Sequence, residues 1–418
     1  MNYVLLGESD SLPLLLKAIG NSDSKLVGAA LCQSMQEVVL ETNPGTRFVN
    51  QWEDLLSLND VDAVIVAGHS DDVLSAARQF ATEERTLVIL PDIGMRSVFT
   101  YELSLIRDDA DVTLVPAFVS RSHPAFHELK RRIDAQTLGK TLQLRFDRIV
   151  ENPESGPRAF SIPEIDGHLL NDADLLRLFG DEYNQVTAIR TGRTDDGAAS
   201  STVTLAGEAA GVQFPEAVWT LNSGPQPRWS LTVIGEQGQT VLSGTDLFDV
   251  RIDDEPIDCD ETQLADRWLT DLELAIRSPN ATESPSVRTA SLTEFSRAFE
   301  IVDGSHESIR RRRTIDLYFE TTSERNLFKT QMAAMGCLVL TWTLFGMVGF
   351  LIAGTIISGP AGDIAPNSPG GPPQLSTFEY WMWHLLRVVW IAPIVIFAIA
   401  QVLLVLARPA KNVDAESP

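Results

Sequence analysis

The chain has 418 residues, 57 Asp and Glu against 33 Lys and Arg for a formal net charge of -24, and 44% hydrophobic residues. That apolar fraction excludes a disordered acidic polymer, and the lack of a clustered cationic stripe in the first three quarters excludes a nucleic-acid binder, which needs one to neutralise phosphates. Three distant cysteines, Cys32, Cys259 and Cys337, draw neither a disulfide framework nor a C-x-x-C zinc spacing, so no metal site is expected.

The first ten residues hold no basic n-region and no long apolar run, and no cleaved secretion signal is expected. Short apolar runs at 3–7, 26–31, 63–67, 86–90 and 112–115 predict strands, and the 3.6-residue patterns between them, at 12–19, 35–41, 72–81 and 98–106, predict helices. Alternating βα units imply an α/β fold with a Rossmann-like, doubly wound parallel sheet over residues 1–118. Ligands of such sheets sit beyond the carboxyl ends of the strands, which points to the first βα turn, Gly7-Glu8-Ser9-Asp10-Ser11-Leu12, and to His69 after the run 63–67. Against G-x-G-x-x-G, Gly7 keeps the first position, Ser9 and Leu12 replace the other two glycines, and Glu8 and Asp10 add negative charge. The ribose-binding acid expected after the second strand is absent, since Leu31 leads into Cys32 and Gln33. Gly7, Ser9, Asp10 and His69 are the candidate cofactor contacts.

Further along, His123 and His127 are four apart but lack a third ligand, and Pro124 between them marks a helix start. The acidic run Asp253, Asp254, Glu255, Asp258, Asp260, Glu261 lacks the order of a calcium loop and leads into a predicted helix over 261–276. Near residue 330 the composition changes. Residues 332–358 run uncharged, longer than the ~20 that span a hydrocarbon core, and residues 388–407 form a second uncharged run that follows Tyr380, Trp381 and Trp383. Two transmembrane helices are expected, joined by an extracytoplasmic loop over 359–387, preceded by a linker over 321–331 and followed by a tail over 408–418. Arg325 and Lys329 before the first span and Arg408 and Lys411 after the second predict a hairpin in the cell membrane with soluble domains and both termini cytoplasmic. Arg310 to Arg313 would then lie close to the lipid surface.

Several segments of residues 1–320 resemble the Gfo/Idh/MocA oxidoreductases, relatives of glucose-fructose oxidoreductase and inositol dehydrogenase. Asp62-Ala63-Val64-Ile65-Val66-Ala67 is similar to the family's "DAVVIAT" strand, and the segment from Arg85 to Asp92 lies where the family has "KHVLCEKP". Arg121-Ser122-His123-Pro124 through Gly139 resembles the segment opening the family's second domain, Asp174 to Gly180 its "LLRWLFG" helix end, and Leu231 to Gly238 a strand and turn. The resemblance implies a second α/β domain over 119–320 built on a large, mainly antiparallel sheet, a common assembly surface for homo-oligomers, and NAD or NADP as cofactor. It also implies a Lys in the "EKP" motif and Asp and His of a "D-x-G-x-H-x-x-D" helix for proton transfer. Here Leu90, Pro91 and Asp92 stand in place of Glu, Lys and Pro. Asp166 matches the motif's Asp in one register, and in a register shifted by two residues His168 takes the His position and Glu164 the Asp. Asp166 and His168 are therefore the candidate acid/base residues. The expected function is a membrane-anchored oxidoreductase homologue, catalytically degenerate and binding a sugar-like small molecule or a partner. The alternatives are an active NAD(P)-dependent dehydrogenase of a sugar or polyol derivative and a membrane assembly protein.

Overall fold

The computed structural model describes residues 1–317 apart from 59, 111, 153–157, 193–196, 210–211 and 279–287, together with 341–346 and 348. The first sheet comes from β1 (Asn2–Gly7), β2 (Lys25–Ala30), β3 (Arg47–Phe48), β4 (Ala63–Ala67), β5 (Leu87–Ile89) and β6 (Leu114–Pro116). Helices α1 (Leu12–Asn21), α2 (Gln36–Thr42), α3 (Asp71–Thr82) and α4 (Arg96–Ala110) connect them. The strands pair in the order β3-β2-β1-β4-β5-β6, all parallel. Helices on both faces explain the unbroken apolar runs, as in β4, where every residue is buried. The order reverses between β1 and β4, and there the backbones meet closely. A Cβ on Gly7, whose φ is +83°, would lie 1.9 Å from the Ala67 carbonyl oxygen, so only glycine fits. The two-residue β3, with no buried side chain, left no apolar run to read in the sequence.

The second sheet has nine strands in the order β18-β17-β16-β15-β7-β14-β11-β9-β19. They are β7 (Thr141–Glu151), β9 (Gln185–Thr191), β11 (Ser200–Ala206), β14 (Glu216–Gly224), β15 (Arg228–Gly235), β16 (Gly238–Gly244), β17 (Val250–Ile252), β18 (Glu255–Ile257) and β19 (Ile315–Asp316). Only β14 and β7 run parallel, so the expected mainly antiparallel sheet is present. Two short ladders, β8 (Phe160–Ser161) with β10 (Gly197–Ala198) and β12 (Glu208–Ala209) with β13 (Val212–Gln213), decorate it. Four helices belong to this half: α5 (Pro124–Asp134), α6 (Ile162–Gly180), α7 (Glu261–Arg277) and α8 (Leu292–Arg311).

Two of these helices return to the first sheet. Trp268, Leu269 and Leu272 of α7 share a core with Leu12, Leu15 and Leu16 of α1, and α8 packs against α4 as well as α6. Residues Met1–Phe319 consequently form one compact unit, with Glu320–Pro418 as another. The first sheet ends with β6 at Pro116.

Arg121, just after β6, is fully buried and donates Nε and Nη2 to the two carboxylate oxygens of Asp174 at 2.8 and 2.7 Å. Its Nη2 also reaches Glu294 at 3.1 Å, and Glu294 completes a capping box with Ser291 at the start of α8. Burial opposes the charge on Arg121, but Asp174 and Glu294 outweigh it and hold the guanidinium above its ordinary range. On α8, burial pushes the Glu300 carboxyl up to about 7, and its Oε2 has no hydrogen-bond partner among the described residues.

The expected linker, spans, loop and tail over 321–418 lie outside the described residues, except that 341–346 and 348 are helical. Among the described residues no helix is long and apolar enough to cross a membrane.

The buried Arg121–Asp174 pair and the buried Glu300 carboxyl both bear on stability. Asp174→Ala leaves Arg121 buried without its bidentate partner and should cost about 3–5 kcal/mol in urea unfolding of the full chain; an unchanged midpoint would show that the pair does not hold the fold. Glu300 binds its proton more tightly folded than unfolded, where its pKa is about 4.3. Its contribution to stability is therefore fully retained below the unfolded value and falls as pH rises through about 7. Glu300→Gln should flatten that decline, read as the difference in thermal midpoint between pH 5 and pH 8.

Candidate functional site

A cleft of about 860 Å³ lies at the carboxyl ends of β1, β4, β5 and β6 and is walled on the other side by α6 and the second sheet. Phe146 on β7, Trp229 on β15 and Phe126 on α5 form its aromatic floor, with ring centroids 6.0 Å apart for Phe146 and Trp229 and 5.8 Å for Phe126 and Trp229. The α6 wall is a stripe at helical spacing, Glu164, His168, Asn171, Asp172 and Leu175.

His168 faces this cleft. Burial, and next the Arg148 guanidinium, lower its pKa, so the imidazole is neutral at pH 7. One turn further, buried Asp172 accepts Arg148 Nε at 2.8 Å, Arg148 Nη2 at 2.6 Å and the Trp219 indole N–H at 2.8 Å. Asp166 sits two residues before His168, about 200° away around the helix, and points to the opposite side. There it accepts Arg190 Nη2 at 2.9 Å and pairs with His306 Nε2 at 2.7 Å, and it does not line the cleft. The two candidate acid/base residues are thus not brought together. The helix presents the shifted register to the cleft: Glu164 and His168 line it, while Leu170 is in the core. Asn171 stands where that register puts the motif's last Asp.

His69 lies in the cleft mouth with its side chain 58% exposed, its Nδ1 2.7 Å from Oδ1 of Asp92. Asp92 also accepts the Gly94 N–H at 2.8 Å. A Cβ on Gly94 would lie 2.1 Å from Cγ of His69, so the loop after β5 closes on the imidazole only because residue 94 is glycine. The sequence marked Asp92 solely as a departure from a Lys motif. Its partnership with His69 becomes visible through the adjacency of β4 and β5. Arg148 and Asp172 carried no signal in the sequence beyond a helical spacing.

Ser9, Asp10 and Ser11 line the cleft, with Gly7 beneath them in the turn. The Ser9 and Ser11 hydroxyls are 3.0 Å apart, and the Ser11 N–H donates to Ser9 Oγ at 3.3 Å. Glu8 turns the other way: its carboxylate accepts the Ser34 N–H at 3.0 Å and the Ser34 hydroxyl at 2.6 Å, tying the turn after β1 to the turn after β2. No cleft residue comes from the β2 and β3 side of the sheet. A dinucleotide held as Rossmann domains hold it lays its pyrophosphate on backbone amides of the first turn and its ribose toward an acid after β2. Here a serine side chain fills the glycine position, two carboxylates flank it, and one of them spans the ribose side. The residues present do not fit that cofactor.

Away from the cleft, His123 caps α5 by accepting the Ala125 N–H at 3.1 Å, and burial lowers its pKa to about 4. His127 Nε2 lies 2.6 Å from the Arg121 carbonyl oxygen, and among the described residues no three His, Cys, Asp or Glu side chains are grouped to hold a metal. Asp253 of the acidic run is held by Arg132 and Thr240.

His168 should titrate below the ordinary value of about 6.5 in imidazole NMR of the full chain. A measured value at or above that figure would contradict the burial described here.

No protein-family model and no curated protein sequence matches the chain. Solved structures do. A myo-inositol dehydrogenase of Corynebacterium glutamicum aligns with a TM-score of 0.57 at 17% identity, over 76% of this chain and 99% of that one. The WlbA dehydrogenase of Chromobacterium violaceum, crystallised with NADH and UDP-GlcNAcA, aligns at 0.60 and 15% over 77% and 97%. An Agrobacterium radiobacter oxidoreductase, crystallised with NAD+, L-tartaric acid and magnesium, aligns at 0.58 and 13% over 76% and 98%. At these identities the likeness is one of fold, a Rossmann-like sheet joined to a large mixed sheet.

Proposed function

We propose that this chain is a membrane-anchored homologue of the Gfo/Idh/MocA oxidoreductases that binds a neutral, sugar-like molecule in its cleft and works without a nicotinamide cofactor. The observation that carries this reading is the Glu8 carboxylate tied to Ser34 beside Ser9, on the ground where a dinucleotide would rest. The aromatic floor offers faces for the C–H side of a polyhydroxylated ring, and Asn171 and Asp10 offer hydroxyl partners. The uncharged runs at 332–358 and 388–407 support the anchor, with residues 1–319 facing the cytoplasm. A homo-oligomer assembled through the second sheet follows from the family resemblance alone.

A second reading, an NAD(P)-dependent dehydrogenase of a sugar or polyol derivative, draws on the fold shared with structures crystallised with NAD+ or NADH and on His168 in the cleft. Calorimetric titration of the detergent-solubilised chain with the oxidised and reduced forms of both dinucleotides separates the two. No heat is expected from the natural chain, with measurable binding gained by Glu8→Gly combined with Ser9→Gly. Binding of the natural chain near micromolar, roughly -8 kcal/mol, would overturn the cofactor-free reading and favour the dehydrogenase.

The anchor predicts that the full chain stays with membranes through alkaline carbonate extraction. Its release into the supernatant would refute a transmembrane hairpin.

A further inference from the structure

We infer that His69, oriented by Asp92, is the general base of a cofactor-independent proton transfer at a carbon next to a carbonyl in a neutral polyhydroxylated ligand. This rests on the cofactor-free reading of the same cleft.

The pair has the parts that such a base requires. His69 and Asp92 leave the ends of adjacent strands β4 and β5, with Nδ1 and Oδ1 2.7 Å apart. Asp92 is itself held by the Gly94 N–H, so it is an oriented carboxylate and not a mobile surface charge. With Nδ1 engaged, Nε2 is the ring nitrogen left to exchange protons, and it makes no hydrogen bond to protein among the described residues. A base held by a third group in this way is the arrangement that general-base histidines use on unrelated folds.

Stability alone does not account for the construction. An ion pair with an exposed histidine contributes little to stability. Yet the loop has glycine where any Cβ would strike the imidazole, and two residues later Arg96 adopts φ +57° and ψ 162°, a region that glycine occupies almost alone. Such backbone strain collects where geometry serves a site.

The opposite wall supplies the complement. Neutral His168 and Asn171 face the same cleft; the Asn171 amide gives one N–H to the Gly167 carbonyl at 3.0 Å and has a second, so both side chains can donate to an oxygen that gains charge. The lining carries five carboxylates, Asp10, Asp92, Glu164, Asp172 and Asp246, against one guanidinium, Arg148, already committed to Asp172. That balance disfavours phosphates and uronates and leaves neutral hydroxy-carbonyl compounds such as ketoses. In the step, the C–H bond beside the carbonyl breaks, its proton goes to Nε2 of His69, and the electron pair moves onto the carbonyl oxygen as an enediolate. Return of the proton from His69 to the same carbon restores the ketose; its return to the former carbonyl carbon yields the isomer once the hydroxyl proton of the first carbon has passed to the neighbouring oxyanion, a shift that the neutral His168 imidazole can relay. Nothing is oxidised or reduced overall.

The test incubates the full chain in detergent and D₂O with dihydroxyacetone, D-fructose and D-xylulose and follows loss of the C–H proton signal by NMR. Exchange above the buffer rate is expected, falling about 10²-fold or more in His69→Gln. Asp92→Asn should keep residual exchange with kcat lowered and KM unchanged, the split expected of a group that orients the base without touching the ligand; a purely structural role would instead reduce the folded fraction and leave kcat per folded chain unchanged. Gly94→Ala, which displaces the imidazole, should fall with His69→Gln, while His168→Asn lowers the rate and leaves the His69–Asp92 pair in place. A natural chain with no exchange, or a folded His69→Gln that retains it, overturns the inference. If exchange is absent and no dinucleotide binds, only this inference fails; if a dinucleotide binds, the cofactor-free reading fails as well.

Discussion

The buried Arg121–Asp174 pair and its extension to Glu294 constrain everything that surrounds the cleft. Desolvating two charges costs several kcal/mol for each ion, a cost that only good geometry and filled hydrogen-bond positions offset. Arg121 meets that demand by holding the end of β6, the middle of α6 and the first turn of α8 at once. The rotation of α6 about its axis is thereby set. One face is spent on ion pairs, Asp174 with Arg121 and Asp166 with Arg190 and His306. The other face, with His168, Asn171 and Asp172, is left to the cleft.

That rotation explains which part of the site could be read from sequence. The strands of the first sheet are legible because each is an apolar run between turn residues, and Gly7 is legible because the β1–β4 crossing admits no side chain there. The second sheet is not, since its central strand β7 pairs with β14 and β15, some seventy or more residues on, and no local pattern announces those partners. The same holds for α7: its apolar face is evident in Leu264, Trp268 and Leu272, but nothing in the pattern says that α1 covers it. Asp166 and His168 are two residues apart in a motif that tolerates two registers, and on a helix that difference separates a structural carboxylate from a cleft residue.

Asp92 illustrates the opposite error. In a linear comparison it is a loss, the residue that stands beside a missing lysine. In space it is a carboxylate set against His69, with a glycine under the ring. That arrangement in the loop after β5 has no meaning without the neighbouring strand β4.

The turns after β1 and β5 act in the same electrostatic direction. Glu8 and Asp10 flank Ser9 after β1 and Asp92 follows β5, so these turns bring carboxylates and no cation to the place where a phosphate would sit. With Arg148 neutralised by Asp172, little in the cleft remains to hold an anion, whereas the aromatic floor and the donors on α6 suit a neutral hydroxylated ring. Between the two strand ends and α6 lie two histidines, one oriented by a carboxylate and one whose pKa is lowered by burial. Proton transfer at a bound carbon is the chemistry such a pair would serve under the proposed reading.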